Sequence, residues 1–373
     1  MQFSCSIQMR VVKPRQRLRA VLLKVHRVGG LVAALPLVVL ALTGCVMAFE
    51  SQIDALLHPS LFRVIPQGQA LALSAMLPRV QGELGNREHV QIAIVSAEPT
   101  HSYCFTVLGG GRVPRQIFVD PYTGRILGAM SVARFVLIMH ALHQANGILM
   151  GVSSLVLAVS VLSGLYLWWP LKRIKLSGYR TRRRFYFDLH NSIGVLSSLF
   201  LLVFALTGTF MAFEQWTVPV TYRLTGARPP QDDPTSFPQE EVGTVSADFA
   251  LEVARGALKD AVPLWVVLPQ DATSSYLVKM RFPEDREPNG TSIVWVDRYS
   301  GKVLEVWDSR TAPVARRVQS FNRVMHSGDV LGYPGKVIAC GMSVALMVQT
   351  VTGIWLWRKR RAQGIGSGRR ELA

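Results

Sequence analysis

Two stretches of the sequence repeat one another. His26 to Glu50 reads HRVGGLVAALPLVVLALTGCVMAFE and His190 to Glu214 reads HNSIGVLSSLFLLVFALTGTFMAFE, with 13 of 25 positions identical in an ungapped alignment. After its first residues each copy runs for more than 20 positions without a charge. That is the length an α-helix needs to cross a hydrocarbon core of about 30 Å. The chain is therefore organised around a duplicated membrane helix headed by a histidine.

Hydrophobic residues make up 49% of the 373 positions, and four uncharged runs qualify as spans: Val28 to Phe49, Phe135 to Leu171, Leu189 to Phe213 and Val337 to Trp357. The formal charge of +17 is concentrated beside them. Residues 1–27, 170–184 and 358–373 together carry +19, which leaves about −2 for everything else. Lys and Arg accumulate in short cytoplasmic segments flanking spans, so both termini and the central loop are expected in the cytoplasm and the two long connections outside. The basicity is a topology signal, and nucleic acid is not an expected partner. Neither CxxC nor CxxCH occurs, which leaves thioredoxin-like chemistry and covalent haem unsupported. Leu42-Thr43-Gly44-Cys45 has the form of a lipoprotein signal, but the second copy carries the same ALTG followed by Thr209 in mid-chain, so the motif is taken as part of the helix.

These signals divide the chain into a basic cytoplasmic start (1–27), a first span (28–49), an outside segment (50–133), a second span with an external extension (134–170), a basic cytoplasmic loop (171–188), a third span (189–213), a second outside segment (214–335), a fourth span (336–357) and a basic tail (358–373). In the first outside segment the pattern predicts a helix near 70–84 and strands near 90–96, 101–108, 115–120 and 125–128. The second repeats the plan, with a helix from Ser246 to Lys259 and strands near 264–268, 276–282, 292–297 and 302–307. FVDPYTGRIL and WVDRYSGKVL align at a constant offset of 177, with Asp120 and Asp297 opening turns that Gly124 and Gly301 close. Ser163-Gly164 and Thr352-Gly353 also correspond, each ahead of an aromatic end and a basic run. Together with Thr43-Gly44 and Thr207-Gly208 they form four small pairs suited to close helix packing. The predicted fold class is an α-helical membrane protein with four transmembrane helices and two small α+β outside domains, built by internal tandem duplication.

Equal orientation of the halves implies a pseudo-twofold axis along the membrane normal, which sets equivalent residues opposite one another. His26 would face His190 near the cytoplasmic edge, and His140 or His143 would face His326 near the external edge. Two imidazoles from different helices are suited to hold an iron between them with a porphyrin edge-on in the bundle. Gly30 and Gly194 each follow their histidine by four residues, one turn along the same face, where a flat macrocycle can approach the backbone. Zinc prefers four ligands including carboxylate or thiolate, and no such cluster is visible.

The combination of a His-headed span with TG near its far end, an outside domain closing in VDPYTGRIL and a return span ending GLYLWW resembles the PepSY-associated transmembrane-helix family, over both halves from about Lys24 to Arg361. Within that family the four-span form with two PepSY-like periplasmic domains is similar to the inner-membrane ferrisiderophore reductases, including the ferrioxamine type. The resemblance implies haem b, with two bis-histidine groups carrying electrons across the bilayer to a ferric siderophore of hydroxamate type in the periplasm. It carries His26 and His190 as the inner ligands, and His140 or His143 with His326 as the outer ones. No flavin or nicotinamide domain is fused, so a cytoplasmic reductase or membrane quinol is the expected donor. Two other classes remain open at this stage: a non-redox binding or regulatory membrane protein, and a siderophore or iron transporter.

Overall fold

A computed structural model describes residues 14–109, 114–131, 134–175, 181–229, 233–238 and 243–370. The basic start up to residue 13, residues 176–180 of the central basic loop and the last three residues lie outside them. In chain order the elements are α1 (Pro14–Val32), α2 (Ala34–Ala48), α3 (Glu50–Leu57), α4 (Pro59–Phe62) and α5 (Leu73–Gly82), then β1 (Glu88–Ile94), β2 (Tyr103–Gly109), β3 (Arg115–Val119) and β4 (Ile126–Ser131). Next come α6 (Arg134–Gln144), α7 (Gly147–Trp168), α8 (Arg182–Ala212), α9 (Glu214–Thr225) and α10 (Ala247–Ala257). The chain ends with β5 (Val262–Val267), β6 (Tyr276–Arg281), β7 (Ser292–Val296), β8 (Val303–Trp307), α11 (Val314–Ser327) and α12 (Tyr333–Arg370). It divides into two units, one of Met1–Gly44, His143–Phe213 and Ile338–Ala373, the other of Cys45–Leu142 and Glu214–Val337.

The first unit is helical. By length and composition α7, α8 and α12 are each able to cross a membrane, which makes this a multi-pass membrane protein. The run that begins the first repeat is instead a bent pair, α1 and α2 meeting at 60°. Pro36 explains the break, because it has no N–H to give the Val32 carbonyl one turn earlier. The uncharged run from Phe135 to Leu171 is also divided: Asn146 caps α7, its side chain accepting from Leu149 N at 2.9 Å. Conversely, α8 starts inside the basic loop, where Thr181 Oγ1 accepts from Arg184 N at 3.2 Å. Charge marks where a span ends, not where its helix does. The helices pack through small side chains, with Ala33, Ala41, Ala158 and Ala205 buried beside Leu37 and Leu201. A methyl at Gly151 would fall 2.7 Å from the Phe213 ring, so α7 and α8 approach more closely than any larger residue allows there.

The second unit holds an eight-stranded antiparallel sheet in the order β4-β3-β2-β1-β5-β6-β7-β8. The two outside segments were expected as separate domains. They instead share this sheet, because β1 pairs with β5 through Ile92↔Val267, Ala93↔Val266 and Ile94↔Trp265. One core runs beneath the seam, with Met76, Val80 and Phe105 of the first half and Ala250, Val278 and Val294 of the second all fully buried. Asp248 of α10 ties the halves further by accepting from Leu73 N at 2.6 Å and Ser74 N at 2.8 Å, at the start of α5. Asp120 and Asp297 occupy the turns expected of them, accepting from Tyr122 N and Tyr299 N, while Gly124 and Gly301 supply φ of 67° and 68°. Trp295 is buried against Trp307, ring centres 4.7 Å apart, and so is a core residue.

Candidate functional site

His26 on α1 and His190 on α8 come together in the helical unit, their ring centroids 6.1 Å apart and their planes at 84°. His26 Nδ1 lies 2.9 Å from the Ser160 carbonyl and 3.2 Å from Ser163 Oγ. A carbonyl oxygen only accepts, so Nδ1 carries the proton and Nε2, across the ring, keeps its lone pair. His190 reaches the same state by another route. Its Nδ1 is 2.9 Å from Thr352 Oγ1, and that hydroxyl already donates to Val348 O at 2.6 Å, which leaves it the role of acceptor. Gln349 adds a bond from Nε2 to the His190 carbonyl at 2.9 Å.

A third histidine is seated in the same way. His143 Nδ1 lies 2.8 Å from Thr43 Oγ1, whose hydroxyl donates to Val39 O at 2.7 Å. In each case the glycine after the hydroxyl residue lies under the ring. A methyl at Gly164 would sit 3.2 Å from His26 Cε1, one at Gly44 3.3 Å from His143 Cε1, and one at Gly353 3.5 Å from His190 Cε1. Three of the four Ser/Thr-Gly pairs, expected only to let helices approach, are thus imidazole seats in which the hydroxyl takes Nδ1–H and the glycine leaves room for the ring. The fourth, Thr207-Gly208, has its hydroxyl bonded to Val203 O at 2.7 Å, as Thr43 and Thr352 do to their own helices.

The structure separates His140 from His143. His140 Nε2 is 2.8 Å from Glu50 Oε2, so that nitrogen is engaged by a carboxylate, whereas His143 has the seat just described. Both His143 and His326 are the penultimate residues of their helices, α6 and α11. By position along its helix His143, rather than His140, corresponds to His326. Asp188 lies within α8 and accepts from Arg184 Nε at 2.8 Å.

His26, His190, Gly30 and Gly194 line one cavity of about 600 Å³, together with Trp168 and Trp357. That volume falls in the range of cavities that hold a drug-sized or cofactor-sized molecule. A Cβ at Gly30 would meet nothing within 4 Å, and one at Gly194 would meet only the Gln349 side chain at 3.3 Å. The two rings stand 6.1 Å apart between centroids on this cavity, close enough for both to serve one bound group. No group of three or more His, Cys, Asp or Glu able to hold a metal occurs among the described residues.

The sequence profile of the PepSY-associated TM region matches residues 23–248 and again residues 227–372. The chain belongs to this family. Among curated proteins no match is found. As a PepSY-associated TM protein it carries the profile over both halves, and every histidine discussed above lies inside the matched regions.

Proposed function

We propose that this protein is a haem-containing inner-membrane reductase that passes electrons outward across the bilayer to a ferric siderophore in the periplasm, releasing Fe(II). The observation that carries the proposal is the His26–His190 pair: two imidazoles with Nδ1 committed to hydrogen bonds, 6.1 Å apart, on a cavity floored by glycines. In this reading the chain has four spans, with α1 and α2 forming the first, and arose by tandem duplication. The basic segments face the cytoplasm and the sheet unit faces the periplasm. His26 and His190 would hold an inner haem b, and the family resemblance implies an outer one on His140 or His143 with His326. Bound haem iron supplies one-electron exchange at these positions.

The residues of the chain do the rest. Ser160, Ser163, Thr352 and Thr43 keep each Nδ1 protonated and each ring oriented, which raises the basicity of Nε2 as a ligand. The apolar helix walls exclude water from the path between the two levels. A hydroxamate siderophore holds Fe(III) far more tightly than Fe(II), so one electron frees the metal and leaves the chelator intact. The electron comes from a cytoplasmic reductase or from quinol.

A visible spectrum of detergent-purified protein, oxidised and reduced with dithionite, tests the proposal directly. A sharp reduced α-band is expected in wild type, weakened in His26→Ala, His190→Ala, His143→Ala and His326→Ala and retained in His140→Ala. Protein made in haem-replete cells that shows no such band would overturn it. Loss of the band in His140→Ala with retention in His143→Ala would reverse the ligand assignment while sparing the function.

A further inference from the structure

The cavity that holds His26 and His190 has a polar end that the histidines do not account for. Arg19, Arg27 and Arg360 line it, and no Asp or Glu is among its lining residues in the described chain. Arg19, Leu23, His26 and Gly30 follow one another at intervals of four, three and four, so they form a single stripe down α1. Arg19 therefore stands two turns, about 10 Å, from His26 along that face. Its Nη2 donates to the Leu167 carbonyl at 3.2 Å, which turns the guanidinium toward α7 at the cavity edge. Arg360 follows Gly353, the glycine beneath His190, by seven residues on α12 and so repeats the arrangement from the other side. Arg27 is half-buried beside His26.

A largely apolar cavity lined by Arg27 at the level of the histidines, by Arg19 and Arg360 about two turns away, and by no carboxylate among the described residues calls for a flat amphiphile whose anionic groups share one edge. Guanidinium forks match carboxylates in geometry as well as charge. We infer that Arg19, Arg27 and Arg360 receive the two carboxylates of the bound macrocycle and so fix which edge of it faces the basic end of the bundle. This rests on the haem reading above and adds the orientation of the ligand. The carboxylate edge is then the one nearest an electron donor on the basic side, and the alkyl edge points into the bundle.

The test uses full-length protein in the His143→Ala background, so that the His26–His190 site alone titrates, and compares haem b with its dimethyl ester by difference spectroscopy. Binding of the acid form at least tenfold tighter than the ester is expected, with Arg27→Gln/Arg360→Gln removing that preference by weakening the acid form alone. Arg27→Lys/Arg360→Lys, which keeps the charge, is expected to restore part of it. Equal binding of the two forms by the unaltered arginines would overturn the inference and leave the haem reading standing, as it would if these arginines hold lipid phosphate instead. Equal loss of both forms in the glutamine variant would also overturn it. Binding of neither form would sink the haem reading and this inference together.

Discussion

His190 donates its Nδ1–H to Thr352 Oγ1 across 2.9 Å, and the same hydroxyl donates to Val348 O at 2.6 Å. A helix carbonyl thus dictates, through one hydroxyl, which nitrogen of a histidine on another helix is free. Thr352→Val keeps the shape and removes the acceptor. We expect haem affinity to fall by about 10-fold to 100-fold, the usual cost of removing such a partner. Thr352→Ser should restore most of it, and haem content per protein after purification reads both.

The glycine seats differ in tightness, and that difference is testable. A methyl at Gly164 would stand 3.2 Å from His26 Cε1, closer than relaxed contact, while one at Gly353 would stand an ordinary 3.5 Å from His190 Cε1. Gly164→Ala should tilt the His26 ring and broaden or shift the reduced α-band. Gly353→Ala should leave the spectrum close to wild type.

Asp248 caps a helix it does not belong to, accepting from Leu73 N and Ser74 N. Asp248→Ala removes both bonds and should cost about 1–2 kcal/mol, in line with the loss of a helix N-cap. Amide exchange across α5 should accelerate while exchange in β6 and β7 stays slow. Uniform acceleration over the whole sheet would show instead that the contact holds the unit together globally.

Burial pushes the Cys104 thiol up to about 12. The folded state therefore favours the neutral thiol, and the stabilisation this gives is fully present below the ordinary thiol value near 9 and is lost as pH rises toward about 12. Iodoacetamide at pH 8 should leave Cys104 unmodified in the folded protein and label it once the sheet is unfolded. Rapid labelling of folded protein would contradict the burial of this strand.

The meeting of His26 and His190 was legible because the two head matching runs of the sequence. The role of Thr43, Ser163 and Thr352 was not legible, since a small pair on an apolar helix has the same local signature whether it faces another backbone or an imidazole. His140 and His143 were inseparable for a related reason. Their register against His326 depends on where α6 stops, and that is set by the Asn146 cap inside a run that looked continuous. Strand and helix positions in the sheet unit follow period-two and capping signals and fall close to expectation. The union of the two halves does not, because the β1–β5 pairing joins residues more than 170 positions apart and leaves no trace in the local pattern.

That pairing also has a particular symmetry. Ile92↔Val267, Ala93↔Val266 and Ile94↔Trp265 match the inner strand of one half to the inner strand of the other, antiparallel, which is the self-complementary contact by which two half-length chains would close a dimer. Carried on one polypeptide, the contact has its stoichiometry fixed at one of each half, and no third half can compete for either edge.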